Sequence, residues 1–428
     1  MKNTPLSQHL STLRLGKTQP DEPGRSPFEI DTDRILFCEA FRALADKTQV
    51  HALTGNDYTR SRLTHSLEVS RVGRTLGHRL AQNMALDGFT PGDISHIVAA
   101  ACLMHDIGNP PFGHVGEDII SNFFRQHPVG LAAIAPCTTA QQLEFQHLEG
   151  NAQGFRMVTR LQGWRAKGGL SLTATTLAAA AKYPWAIDCR PEGSRKMKYN
   201  FIHEDAEAFT EVAKATNMHQ EADLRWRRHP LAYLVEAADD ICYLVVDVED
   251  ATHLGLLSLA QAEELLLPMV PLLDHADYHA VTDPQRKLVY LRAKAIGGLI
   301  DAMAESWPDE SADVLAGVHP GDLLNRTAMG PHIQHLRHLS REVIYSNRQT
   351  PGIQSTATIV LEKMLTLYIQ NLTAREEGRG HDADVLQGLE HLPHGRAGWL
   401  RGVVDHICAM TDHRVLREAK RLGISYAG

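Results

Sequence analysis

With 428 residues, 43% of them hydrophobic and 22% charged, the chain can bury a large core and form roughly one to three domains, unlike an intrinsically disordered chain. A net charge of -8 and a pI near 6.3 argue against wholesale coating of nucleic acid but leave room for a local basic groove. Cys38, Cys102, Cys137, Cys189, Cys242 and Cys408 form no Cys-x-x-Cys pair, no signal-peptide core follows Met1, and no apolar run approaches the roughly 20 residues of a membrane span. We therefore expect reduced thiols, a cytoplasmic location and no membrane association.

Residues 1–30 are polar and bear Pro and Gly, which predicts an arm or extended lead-in. Over 62–83, His65, Val69, Val72 and Leu76 recur at helical spacing and form one face. Residues 93–106 predict a second helix, with Asp93 as N-cap and Gly108 and Pro110-Pro111 as its stop. A third spans 229–250, and further helices are expected near 258–272, 284–306, 332–346, 355–372 and 396–411. The polar stretches 307–330 and 373–395 read as exposed connections. Sustained alternation is scarce and no repeat is visible, so the predicted fold class is all-α.

Three of these segments offer metal-binding groups. His65 lies on the apolar face of the first. Asp239 shares a stripe with Val235, Cys242 and Val246, where a carboxylate costs several kcal/mol unless it is paired or bound to a cation. His105 and Asp106 adjoin where the second helix ends, and His114 and Glu117 follow closely. The 24 histidines modestly favour metal or proton chemistry. Two imidazoles and two carboxylates form a mixed N/O set suited to Mn, Fe, Zn, Ni or Mg. Taken singly, each residue has an ordinary role open to it: a hydrogen-bonded core His for His65, an Arg62 or Arg71 partner for Asp239, a helix-end hydrogen bond for Asp106.

The order of the segments says more. Arg62-Leu63-Thr64-His65, then His105-Asp106-Ile107-Gly108-Asn109-Pro110-Pro111-Phe112-Gly113-His114-Val115-Gly116-Glu117, then 149–156, Ala181-Lys182-Tyr183-Pro184-Trp185 and 236–243 together resemble the HD-domain metallophosphohydrolases. More narrowly, the chain resembles the deoxyguanosine triphosphate triphosphohydrolase-like family, over roughly residues 30–260 and again near the C-terminus. The expected organisation is an arm (1–30), an HD-domain helical core (31–255) and additional C-terminal helices (256–428) packed on that core.

The resemblance implies hydrolysis of a deoxynucleoside triphosphate (dNTP), dGTP among them, at the α-phosphorus, giving a deoxynucleoside and tripolyphosphate. It implies a divalent metal ion (Mn, Mg, Fe, Ni or Zn) held by His65, His105, Asp106 and Asp239. Asp240 lies on a more polar stripe with Glu236, Tyr243 and Asp247. The family places a catalytic His and Glu at His114 and Glu117. Three residues apart, they share a face if the chain turns helical after Pro111, which suits His114 as acid/base and Glu117 as its orienting or activating partner. Lys182 resembles a triphosphate-contacting Lys. Tyr243 resembles a Tyr set against the sugar, able to reject a ribose 2′-OH, and Asp247, one turn on, suits the 3′-OH. Gln49 and Val50 resemble positions near the nucleoside. Arg62 serves the phosphates or a metal-ligand carboxylate, and Asn151 and His147 are further pocket candidates. A solvated surface position for Lys182 and core packing for Tyr243 and Val50 are the alternatives.

Departures from the family pattern are Asn109, where many relatives carry His, Ala43, where a second Arg is common, and Ala409 within 405–412, where Gly is usual. They weaken any transfer of base specificity. The resemblance also implies a homo-oligomer, commonly a hexamer; a nucleotide or single-stranded DNA effector is left open as a further partner. Two other readings stay open: another HD phosphohydrolase, such as a nucleotidase or phosphodiesterase, and a nucleotide- or DNA-binding sensor. For the last, Arg225-Trp226-Arg227-Arg228 is the candidate surface, although it reads more simply as a solvated helix lead-in.

Overall fold

Helices carry most of the ordered backbone in the computed structural model, which describes residues 5–16, 24–48, 60–82, 84–163, 169–194, 196–345, 351–389, 392–393 and 395–426. The lead-in is docked on the rest of the protein. Leu6, Leu10 and Leu15 are buried, the Leu15 N–H donates to the Leu172 carbonyl at 3.2 Å, and buried Arg14 pairs with buried Asp31. Asp31 belongs to α1 (Pro27–Leu36).

Helix α2 (Arg62–Ala81) opens at Ser61, whose hydroxyl accepts from the Thr64 N–H. Helix α3 (Pro91–Met104) opens at Thr90, not at Asp93 as its composition suggests. Thr90 is the N-cap and Asp93 its reciprocal partner in a capping box, because Pro91, with its fixed φ and missing N–H, fits the first helical position. From Ile97 on, α3 is apolar on every side and is buried accordingly. Its Ala100, Leu103 and Met104 join one core cluster, while Ile94, Ile97 and Val98 join another. α2 lies hard against α3 because Gly73 and Gly77 face it; a methyl group at Gly73 would come within 2.5 Å of the Cys102 sulfur.

After a Gly/Pro turn, α4 (His114–Gln126) and the short α5 (Gly150–Arg156) follow. A two-residue strand, Arg225–Trp226, pairs antiparallel with Gln220–Ala222. The basic stretch at 225–228 is therefore not a solvated helix lead-in. Trp226 is buried against Phe201 and Phe209, and Arg225, Arg227 and Arg228 each have a carboxylate partner, Glu221 for the first two and Glu236 for the third.

The long α6 (Pro230–His253) carries Asp239 at its middle. Helix α7 (Pro284–Leu315) runs past the expected stop at 306. Pro308 inside it forgoes one backbone hydrogen bond, a cost of roughly 3 kcal/mol, yet Trp307 and Val314 stay buried and keep the helix seated. The long elements that follow it are α8 (Gly330–Leu339), α9 (Pro351–Glu376), α10 (Arg396–Cys408) and α11 (Asp412–Arg421). Leu291, Leu299 and Ile333 from α7 and α8 share a cluster with Leu234, Ile241 and Val245 of α6. Leu361, Tyr368, Leu400 and Ile407 from α9 and α10 share the other with Phe123, Phe124 and Phe155. The site lies between these two bodies, at the C-terminal end of α3.

α6 is capped by His229, which is fully buried. Its ring accepts from the Leu231 N–H at 3.1 Å and donates to the His9 carbonyl at 2.9 Å. Burial, with a smaller push from His9, lowers its pKa to about 3 from the ordinary 6.5. Above 6.5 the ring is neutral in both folded and unfolded chains. Below that value the unfolded chain takes up a proton that the folded chain refuses, so stability falls as pH drops toward 3. At ~1.4 kcal/mol per pH unit, this group alone is expected to remove about 3 kcal/mol by pH 4. Urea midpoints measured from pH 7 to pH 4 check this: His229→Asn, which keeps a capping acceptor, should flatten the slope, and an unchanged slope would refute the assignment.

Candidate metal centre and cleft

Three helices bring their ligand-type side chains to one point. His65 stands in the first turn of α2, His105 and Asp106 at the end of α3, and Asp239 in the middle of α6. One ligand atom from each of His65, His105 and Asp239 lies within 4.8 Å of the other two, a group able to hold a metal ion. His65 Nε2 is 3.0 Å from Asp239 Oδ1, and His105 Nε2 is 3.7 Å from the same oxygen. His105 Nδ1 lies 2.6 Å from the Cys102 carbonyl, so it donates there and leaves Nε2 with its lone pair toward the cluster.

Asp106 completes the set. Its Oδ1 accepts from Arg62 Nη1 at 2.7 Å and from Asn109 Nδ2 at 2.6 Å. Its Oδ2 is buried without a hydrogen-bond partner and lies 3.7 Å from His105 Nε2. An orphaned carboxylate oxygen in a buried site is costly, and its position beside two imidazoles and a second carboxylate fits a cation. Burial pushes the Asp106 carboxyl up, but the Arg62 guanidinium and the two imidazoles override it and hold the group well below the usual carboxylate range. Asp239 is likewise lowered against its burial, by His105 and His65. His65 is raised in spite of burial, by its bond to Asp239.

The turn after α3 sets the next pair. Gly108 runs so close to α5 that a methyl group there would meet the Gly150 oxygen at 1.9 Å. Phe112 and Gly113 both take positive φ, 62° and 57°, and α4 begins at His114. His114 and Glu117 then share its first turn, with His114 Nδ1 2.9 Å from Glu117 Oε2. Glu117 is buried and accepts from the Gly150 N–H at 2.8 Å. Burial raises its carboxyl, but the bond and charge of His114 outweigh that and lower it. The His114 side chain is 72% exposed, so its second nitrogen is free to face a ligand.

His105, Asp106, Asp239, His114 and Glu117 line a cleft of about 600 Å³, while His65 lies buried behind them. Arg62, Asn151, Lys182 and Tyr243 line it, as the sequence predicts. Arg62 takes the carboxylate-supporting role, through Asp106. Lys182 is set into the wall, 3.0 Å from Glu236, and the Tyr243 ring lies 4.9 Å from that of His65. Asp240 also faces the cleft, bonded to Arg337 at 2.8 Å. Asp247 is buried and is not among the lining residues, nor is His147. Gln49 and Val50 lie outside the described residues. Sequence reasoning missed Lys198, held by Glu149 at 2.6 Å, and Arg337, Ser340 and Arg341, which reach the cleft from α8 and just beyond it. None of them has a local pattern that marks it; each is an ordinary polar residue until the fold brings it to the cleft.

The HD domain family matches residues 62–150, the stretch that carries His65, His105, Asp106, His114 and Glu117. A deoxyguanosinetriphosphate triphosphohydrolase-like protein of Pseudomonas aeruginosa strain LESB58 is 40% identical, across 96% of this chain and 97% of its own. Another, from Synechocystis sp., is 36% identical across 95% and 96%. The deoxyguanosinetriphosphate triphosphohydrolase of Salmonella paratyphi A is 29% identical across 80% of this chain and 76% of its own. Similarity sustained along nearly the whole chain, over a helical fold that gathers a His/Asp cluster beside a cleft, shows that this protein belongs to the deoxyguanosinetriphosphate triphosphohydrolase-like family of HD-domain hydrolases.

Proposed function

We propose that the protein hydrolyses deoxynucleoside triphosphates, dGTP among them, at the α-phosphorus, releasing a deoxynucleoside and tripolyphosphate. The observation that carries this reading is the orphaned Asp106 Oδ2, aimed with His65, His105 and Asp239 at one point beside the exposed His114. These four residues would hold a divalent ion, which supplies Lewis-acid polarisation of a phosphoryl oxygen and acidifies a bound water. His114 moves the proton at the water or at the leaving 5′-oxygen, through the nitrogen that Glu117 leaves unengaged. Lys182 neutralises the triphosphate and Asn151 lines its path. Tyr243 packs against the sugar and excludes a ribose 2′-OH. A cleft of about 600 Å³ is large enough for a small-molecule substrate, and the names of the relatives support the substrate class.

The test is to incubate the protein with Mn²⁺ or Mg²⁺ and each dNTP, singly and in mixtures, and to resolve the products. Tripolyphosphate and deoxynucleoside support the reading. Orthophosphate as the first product would make the protein a phosphohydrolase of another kind and overturn it.

A further inference from the structure

The segment 405–412 spans the end of α10 and the start of α11, far from the HD region in sequence, and the chemistry above does not use it. Both of its ends nevertheless reach the site's framework. Asp405 binds Arg156 Nε at 2.9 Å and Gln153 Nε2 at 2.8 Å, bracing α5, the helix whose first N–H binds Glu117. Asp412 is 2% exposed and accepts from three donors: the Phe112 N–H at 2.8 Å, the Thr48 N–H at 3.1 Å and the Thr48 hydroxyl. Phe112 sits at φ 62°, a conformation unfavourable for a bulky residue unless its surroundings impose it. The Thr48 carbonyl in turn accepts from Arg62 Nε at 2.8 Å, and the other end of that guanidinium binds Asp106.

The neighbouring residue repeats the pattern. Lys47 is 3% exposed, and its ammonium donates to the Asn109 and Cys408 carbonyls at 2.7 Å each. Asn109 is the second donor to Asp106 Oδ1. Two hydrogen-bonded routes thus run to the same oxygen of Asp106, one from Asp412 at the start of α11 and one from the Cys408 carbonyl at the end of α10, while the opposite oxygen faces the His/Asp cluster. A carboxylate gripped by three donors is a firm anchor, and outer partners of this kind set the orientation of metal-binding groups.

On the functional reading above, we propose that Asp412 is a positioning residue for the hydrolytic site: it holds the Phe112 turn and the Thr48–Arg62 arm, and through them the orientation of Asp106. The C-terminal helices thereby complete a site whose reactive groups all lie before residue 244.

The experiment uses the full chain as wild type, Asp412→Asn, Thr48→Val and, as a control in the same C-terminal helices, Tyr368→Phe, which removes a hydrogen bond to Glu418. Mn²⁺ affinity, kcat and KM for dGTP, and thermal midpoint are measured for each. Asp412→Asn is expected to weaken Mn²⁺ binding by about 10-fold or more and to lower kcat, with KM within about threefold of wild type. Thr48→Val should move the same quantities in the same direction by less. Tyr368→Phe should lower the thermal midpoint and leave Mn²⁺ affinity unchanged. The proposal is overturned if folded Asp412→Asn binds Mn²⁺ within about twofold of wild type, or if Tyr368→Phe weakens binding equally. Should Asp412→Asn fail to fold, Thr48→Val decides by the same criterion. A wild-type protein that binds Mn²⁺ but releases no tripolyphosphate refutes the functional reading, while the Mn²⁺ titrations still judge Asp412.

Discussion

Asp239→Ala is expected to abolish metal-dependent hydrolysis and to strip the protein of bound metal. Asp239 Oδ1 is the atom on which the cluster converges, 3.0 Å from His65 and 3.7 Å from His105. Without it the two imidazoles face each other with no anion between them, and Asp106 alone remains to balance a divalent charge. The loss should exceed about 10³-fold in turnover, beyond the 10–100-fold that removal of an outer partner costs. Folding should survive, because the substitution removes a half-buried charge and creates no large cavity. The neighbouring Asp240→Asn separates the two adjacent carboxylates. Asp240 bonds to Arg337 rather than to either imidazole, so that variant should keep its metal. Metal content by elemental analysis and turnover measured together check the pair of substitutions. Near-normal turnover and metal content in Asp239→Ala would refute the ligand assignment.

The second large effect is expected from His114→Ala, which should retain metal and lose about 10²- to 10⁴-fold in kcat, the range of a general acid/base. The geometry separates this residue from the ligands. His114 comes after the Gly108–Gly113 turn, its Nδ1 is held by Glu117, and its ring is 72% exposed at the cleft. Truncating an exposed ring costs little packing, so a lower rate with unchanged metal content and thermal midpoint isolates the proton-transfer role. If metal content fell with the rate, His114 would have to be counted among the ligands.

Much of the site was legible beforehand because the ordered segments that carry its key residues resemble a family pattern, and local patterning adds to that. His65 and Asp239 are polar groups on otherwise apolar helical stripes, an arrangement that needs a partner wherever it occurs. His105-Asp106 and His114/Glu117 are separated by a Gly/Pro run whose backbone consequences are strong. The errors were of two kinds. At Thr90 and Asp93 both residues are good caps, and Pro91 decides between them. At Pro308 a local breaker lost to the burial of Trp307 and Val314. The basic stretch at 225–228 misled because its charges are neutralised by Glu221 and Glu236, residues that the linear pattern does not connect to it.

The sequence by itself determined the helical class, the apolar faces and the ligand-type residues, because helical periodicity and side-chain chemistry are properties of short windows. Only the tertiary structure decided that His65, His105 and Asp239 converge, that Asp106 keeps one oxygen for the cluster, and that Lys198, Arg337 and Asp412 belong to the same neighbourhood. Those facts depend on how close α2, α3 and α6 lie and on where the C-terminal helices dock. That arrangement is set by the mutual fit of side chains hundreds of residues apart, and no short window of sequence contains it.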